Sequence, residues 1–197
     1  MSLGFFRKDA LGLKLGYGRV YLRAPRARDY QAWTALRAES RDFLAPWEPT
    51  WARDALSRSA FRQRLRHSNS EAKHDLGYAF FLFRRDDDAL LGGVTLRHLQ
   101  RGVAQSVNLG YWIGARHARR GYMTEGLRAA SDFAFDHCGL HRIEAACLPE
   151  NRASSGLLEK LGFQREGCAR AYLRINGSWH DHLLYALLRD DPRWPDL

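Results

Sequence analysis

The stretch that most restricts what this chain can fold into is Arg119-Arg120-Gly121-Tyr122-Met123-Thr124-Glu125, because of what flanks it. Before it lies an apolar, strand-like segment, Val107-Asn108-Leu109-Gly110-Tyr111-Trp112-Ile113; after it, a helical pattern runs from Thr124 toward His137. Strand, loop and helix in that order put two arginines and a glycine where a helix first presents backbone N–H groups without intrahelical partners. Those donors and the helix dipole favour an anion, and glycine lets it approach the backbone. The loop is a candidate pyrophosphate cradle.

The remaining pattern builds an α/β layer architecture around one sheet. Strands are predicted over 19–23, 78–83, 90–99, 108–113, 142–148, 165–175 and 178–187, and helices over 29–40, 54–67, 124–137 and 151–161. Asp86-Asp87-Asp88 supplies one hairpin turn and Asn176-Gly177 another, while Gly162 closes the last helix. No repeat or long linker divides the chain, so residues 1–197 read as a single domain with 1–18 as an N-terminal extension.

Composition narrows the partners. With 31 Lys+Arg against 22 Asp+Glu the net charge is +9, which favours phosphorylated cofactors or ribonucleoprotein surfaces. No apolar run is long enough to span a bilayer, the N-terminus does not read as a signal peptide, and no membrane partner is expected. Cys138, Cys147 and Cys168 have no CxxC spacing, and a reduced cytoplasm is the natural setting. His180 and His182 alternate along one strand without a third ligand at a characteristic spacing, so no metal site is expected.

A second motif stands beside the loop: Pro149-Glu150-Asn151-Arg152-Ala153-Ser154-Ser155-Gly156-Leu157-Leu158-Glu159-Lys160-Leu161-Gly162-Phe163. A strand ends at a proline, Asn151 sits at a helix cap, and small residues fill the first turn. Taken with Pro46-Trp47-Glu48-Pro49, Leu109-Gly110-Tyr111, Arg120-Gly121 and the segment Tyr172–His182, these motifs resemble the Gcn5-related N-acetyltransferase (GNAT) superfamily over roughly 19–187. Within it they are most similar to ribosomal-protein-alanine N-acetyltransferases of the RimJ/RimL type.

The resemblance implies a GNAT fold: a mostly antiparallel central sheet flanked by helices and splayed between strands 108–113 and 142–148. It implies acetyl-CoA as co-substrate in that split. Leu109, Tyr111 and Ile113 would face its pantetheine, Arg119, Arg120, Gly121, Tyr122, Met123 and Thr124 its pyrophosphate, with Asn151 and Ser154 beside it. Ala118 and Met123 depart from the superfamily's loop pattern. The tyrosine that many relatives place seven residues past the Asn is Leu158 here; the resemblance to the ribosomal-protein type, with a Ser three residues past the Asn, implies Ser154 as the proton donor to the CoA sulfur. The Glu expected on the strand before the loop is Asn108, leaving Glu48, Asp181 and His182 as base candidates. That gap suits an α-amine, whose pKa of about 8 demands less of a base than a lysine. The resemblance implies as acceptor the N-terminal alanine of a ribosomal protein, attacked directly in a ternary complex, with contact to ribosomal or pre-ribosomal RNA. A small-molecule amine acceptor and a weakly catalytic ribosome-associated CoA-binding module are the other readings.

Overall fold

The computed structural model describes residues 12–194. Eight strands form one sheet in the order β1-β2-β3-β4-β5-β6-β8-β7. They are β1 (Lys14–Tyr17), β2 (Val20–Arg23), β3 (Tyr78–Arg84), β4 (Leu90–Gln100), β5 (Ser106–Ile113), β6 (Arg142–Cys147), β7 (Gln164–Ile175) and β8 (Ser178–Leu188). The helices are α1 (Tyr30–Glu39), α2 (Arg41–Leu44), α3 (Arg58–Lys73), α4 (Tyr122–Asp132) and α5 (Arg152–Lys160).

Every neighbouring pair is antiparallel except β5 and β6. Alternation along the strands sends one apolar set to each face. Leu82, Val94, Val107, Leu109 and Ile143 pack with Leu127 and Ala130 of α4 and Leu158 of α5. On the other face Tyr21, Phe81, Phe83 and Leu90 pack with Trp33 and Leu36 of α1 and Phe61 of α3. The result is three layers, helices over both faces of the sheet. A buried ion pair ties β2 to the start of α1: Arg23 donates to both oxygens of Asp29 at 2.7 Å, and Asp29 also accepts the Arg26 N–H at 2.7 Å.

Several boundaries differ from those predicted. The first helix on the far side of the Trp-Glu-Pro loop starts at Arg58 rather than Asp54, because Ser57 accepts the Ala60 N–H at 3.1 Å and serves as its cap. It runs on to Lys73 because Ala72 extends the buried stripe begun by Phe61. Lys14–Tyr17, inside the segment read as an extension, forms an edge strand on β2; residues 1–11 lie outside the described part. Helix α4 begins at Tyr122 and passes into a π-helical turn over Phe133–His137. At the end of α5, Gly162 follows the Leu161 cap with φ 81°, and the N–H groups of Gly162 and Phe163 bond back to Glu159 and Leu158.

Candidate active site

Strands β5 and β6 run parallel and share only three rungs, Ser106↔Arg142, Val107↔Ile143 and Asn108↔Glu144. Beyond them the ladder stops. Leu109–Ile113 stays paired with β4, while Ala145–Cys147 stays paired with β8. The sheet therefore opens into a wedge at its centre, as expected between these strands, and both β-to-α connections lead out of its wide end.

The first connection carries the basic loop. Arg119 (φ 59°) and Gly121 (φ 82°) both adopt left-handed conformations, and Gly121 is the N-cap of α4. No side chain caps this helix. Its first bond from the loop runs from the Glu125 N–H to the Gly121 carbonyl at 3.2 Å, and the backbone N–H groups of Arg119 through Thr124 find no acceptor among the described residues. Successive N–H groups around left-handed residues form a concave anion-binding nest. A β-carbon at Gly121 would lie 3.1 Å from Arg19 Nη2, and φ 82° is strained for any side chain. Arg19 braces the loop from β2's side: it donates to Glu125 Oε1 through Nε at 2.8 Å and to the Arg120 carbonyl at 3.0 Å. The Arg119 and Arg120 residues are exposed, while Tyr122 and Met123 are buried and anchor the helix in the core. The only trace of this role for Arg19 in the sequence is its place beside Gly18.

The buried His117 precedes the loop, and Arg116 Nε donates to its Nε2 at 3.1 Å. Burial, reinforced by Arg116, Arg84 and Arg120, pushes its pKa below the usual histidine value.

The second connection carries Asn151 and Ser154. Asn151 Oδ1 accepts the Ser154 N–H at 3.1 Å, fixing the first turn of α5. The Tyr111 hydroxyl of β5 lies 2.7 Å from Ser154 Oγ and 3.4 Å from the Ser154 carbonyl, so hydrogen bonding reaches across the wedge. Burial raises the Tyr111 pKa, against a smaller lowering by Ser154. Tyr111 was expected only to face the co-substrate; its hydroxyl's bond to Ser154 depends on how far apart the two half-sheets stand, which no local pattern encodes. Cys147 of β6 is buried, and burial holds its thiol above its ordinary pKa.

The other base candidates stand in different networks. Glu48 accepts both η nitrogens of the buried Arg37, at 2.7 and 2.6 Å, and the Trp51 indole N–H at 2.7 Å. Arg37 is itself flanked by the Trp51 and Trp112 rings at 4.3 and 4.9 Å. The Glu48 carbonyl accepts the Asn176 N–H at 3.2 Å, joining this loop to the β7–β8 turn. Asp181 accepts the Ala171 N–H at 2.8 Å and steadies the irregularity between Ala169 and Leu173, where Ala171 has φ 44°. His182 is buried against Tyr172, with Nδ1 3.0 Å from the His180 carbonyl. Among the described residues no cluster of three or more His, Cys, Asp or Glu is placed to hold a metal.

A central wedge, a bare-donor nest at its mouth and a hydroxyl pair across it fit a long, flexible ligand with a diphosphate at one end. Known proteins agree with that shape. An acetyltransferase (GNAT) domain family matches residues 19–164. The probable N-acetyltransferase YjcK of Bacillus subtilis is 37% identical over 172 residues, covering 87% of this chain and 95% of the relative. The [ribosomal protein uS5]-alanine N-acetyltransferase of Escherichia coli is 34% identical over 186 residues, 94% of this chain and 96% of the relative. Among solved structures, Mycobacterium smegmatis RimJ in complex with CoA-disulfide superposes with a TM-score of 0.83 at 31% identity, over 89% of this chain and 86% of that one. This chain belongs to the GNAT family as an acetyl-CoA-dependent N-acetyltransferase.

Proposed function

We propose that the acceptor is the N-terminal alanine of a ribosomal protein, acetylated in the cytoplasm by direct attack within a ternary complex. The observation that carries this is the similarity to the uS5-alanine N-acetyltransferase across 94% of the chain. The exposed aromatic rim agrees with it: Trp47 on the Glu48 loop, and Tyr172, Leu173 and Trp179 on the hairpin, present apolar surface on either side of the Asn176–Glu48 contact. Exposed aromatic surface of this kind fits a polypeptide segment better than a small polar amine.

In this reading the N–H groups of Arg119–Thr124 hold the pyrophosphate, with Arg119 and Arg120 adding charge. Leu109, Tyr111 and Ile113 line the pantetheine path on β5, whose backbone N–H groups on the open side polarise the thioester carbonyl. Ser154, kept in place by Asn151 and backed by Tyr111, gives the departing sulfur its proton. Glu48, committed to Arg37 and Trp51, shapes the acceptor wall; Asp181 holds the hairpin in form. The net charge of +9 suits an approach to ribosomal RNA near the acceptor.

The test is acetyl transfer from acetyl-CoA to matched peptides beginning with Ala, Ser or Met, and to polyamines and free amino acids. Release of CoA with the Ala peptide, and a gain of one acetyl group on its α-amine by mass spectrometry, is the expected outcome. Turnover with a small amine and none with any peptide would assign the enzyme to small-molecule chemistry instead.

A further inference from the structure

The last shared rung of β5 and β6 belongs to a row that crosses the sheet: Arg97↔Asn108, Asn108↔Glu144, Glu144↔Ala186 and Ala186↔Gln164. Side chains in register on adjacent strands emerge on one face. Val107 and Leu109 on β5, and Ile143 and Ala145 on β6, enter the core beneath α4 and α5. Asn108 and Glu144 therefore emerge on the opposite face, the face of Trp112, at the closed end of the wedge. One rung further toward the mouth the same face carries Thr95 and Gly110 on one side, Ala146 and Leu184 on the other. On this face the Glu144 side chain stays partly exposed.

Glu144 is held but not consumed. Its Oε1 accepts Arg142 Nε at 2.8 Å, its Oε2 accepts nothing among the described residues, and its side chain is 42% exposed. Arg142 is in turn pinned by its two η nitrogens on Glu166. A cation fixed by one carboxylate thus holds a second one beside the last shared rung. Asn108, where a base was sought in the sequence, has this carboxylate as its partner across the rung.

We propose that Glu144 is the proton acceptor for the incoming amine, through direct contact or one water, and that Arg142 is its positioning residue. This rests on the reading above that the thioester lies in the wedge with Ser154 at its sulfur. An ammonium nitrogen carries two more protons than the amide nitrogen it becomes. The first passes to Glu144 and on to bulk water, freeing the lone pair. The second passes to Glu144 as the N–C bond forms and the C–S bond breaks, while Ser154 gives its proton to sulfur and regains one from bulk water.

The experiment is the pH profile of kcat/KM for an Ala-initiated peptide between pH 5.5 and 9.5 with Glu144→Gln, alongside CoA titration by calorimetry. Loss of one general base costs on the order of 100-fold. The expected deficit is of that order near pH 6.5 and shrinks above about pH 8, where the α-amine arrives neutral unaided. CoA affinity stays within about twofold, since 0.4 kcal/mol or less separates such values. A deficit equal at every pH, or no deficit, overturns the proposal. Should the Gln variant not fold, Glu144→Asp decides in the same way, by whether its deficit narrows with pH. Failure of the parent enzyme to bind CoA would sink the site reading itself, an outcome distinct from either.

Discussion

Helices α4 and α5 both start at the wide end of the wedge, one from each half-sheet, yet their first turns are built in opposite ways. At α4 the cap is a left-handed glycine and, among the described residues, no side chain closes the turn and the donors of Arg119–Thr124 stay unclaimed. At α5 the cap is Asn151, whose side chain takes the Ser154 N–H. An uncapped helix start forgoes about 1 kcal/mol of stability and gains a binding surface. A capped one gives up that surface and gains a side chain in a fixed place. In the proposed reading, binding and chemistry are divided between two helix ends that differ in who satisfies the backbone.

If that division is real, substitutions at the two ends separate affinity from turnover. The largest effect is expected for Ser154→Ala. It should lower kcat on the order of 100-fold, the usual worth of a general acid, while leaving the CoA dissociation constant within about twofold. Steady-state kinetics with calorimetry checks it, and a variant that loses CoA binding along with kcat would erase the distinction. Gly121→Val comes next, with the opposite signature. A branched side chain at φ 82° strains the loop by about 1–3 kcal/mol and should weaken CoA binding about tenfold or more. Asn151→Ala removes a cap, costing about 1 kcal/mol and a few degrees in Tm by calorimetric melting, with kcat falling less than for Ser154→Ala. Arg19→Ala should be milder, about two- to fivefold in CoA affinity, because an exposed ion pair contributes about 0.2–1 kcal/mol.

The smallest effect is a pH dependence confined to the α4 side. His117 has a folded-state pKa below its unfolded value of about 6.5. Above pH 6.5 both states are neutral there. As pH falls below that, the unfolded chain binds the proton first, so stability drops toward the folded pKa. Melting the parent and His117→Gln between pH 8 and pH 5.5 should show a shallower decline in the variant. Equal slopes would remove His117 from the account.

Much of this was legible in the sequence because it is local. The order of strands and helices, the Asn176-Gly177 turn between Ile175 and Ser178, and the contrast between Gly121 and Asn151 are written in neighbouring residues. The start of α3 at Arg58 rather than Asp54 is also local, set by the Ser57 cap on the Ala60 N–H. What stayed hidden depends on register between distant segments. Nothing near Glu48 announces that Arg37 and Trp51 will claim its carboxylate, and nothing near Glu144 announces Asn108 as its neighbour. A search for a base along β5 alone stops at Asn108, because the pairing that brings Glu144 beside it joins residues 36 positions apart in the chain.

The three-rung contact between β5 and β6 has a further consequence. A sheet normally carries its unpaired edges at the rim, where other chains can add to them. This one carries an additional pair of edges inside, facing each other and reachable only by something thin. Such an interior edge is shielded from stray β-strands by its own opposite bank, while a slender chain with amide groups can enter and act as a substitute strand. The half-sheet bearing the nest and the half-sheet bearing Ser154 would then be sewn together by the co-substrate. Heat resistance should climb with CoA concentration, by about 2.7 kcal/mol at a hundred times the dissociation constant.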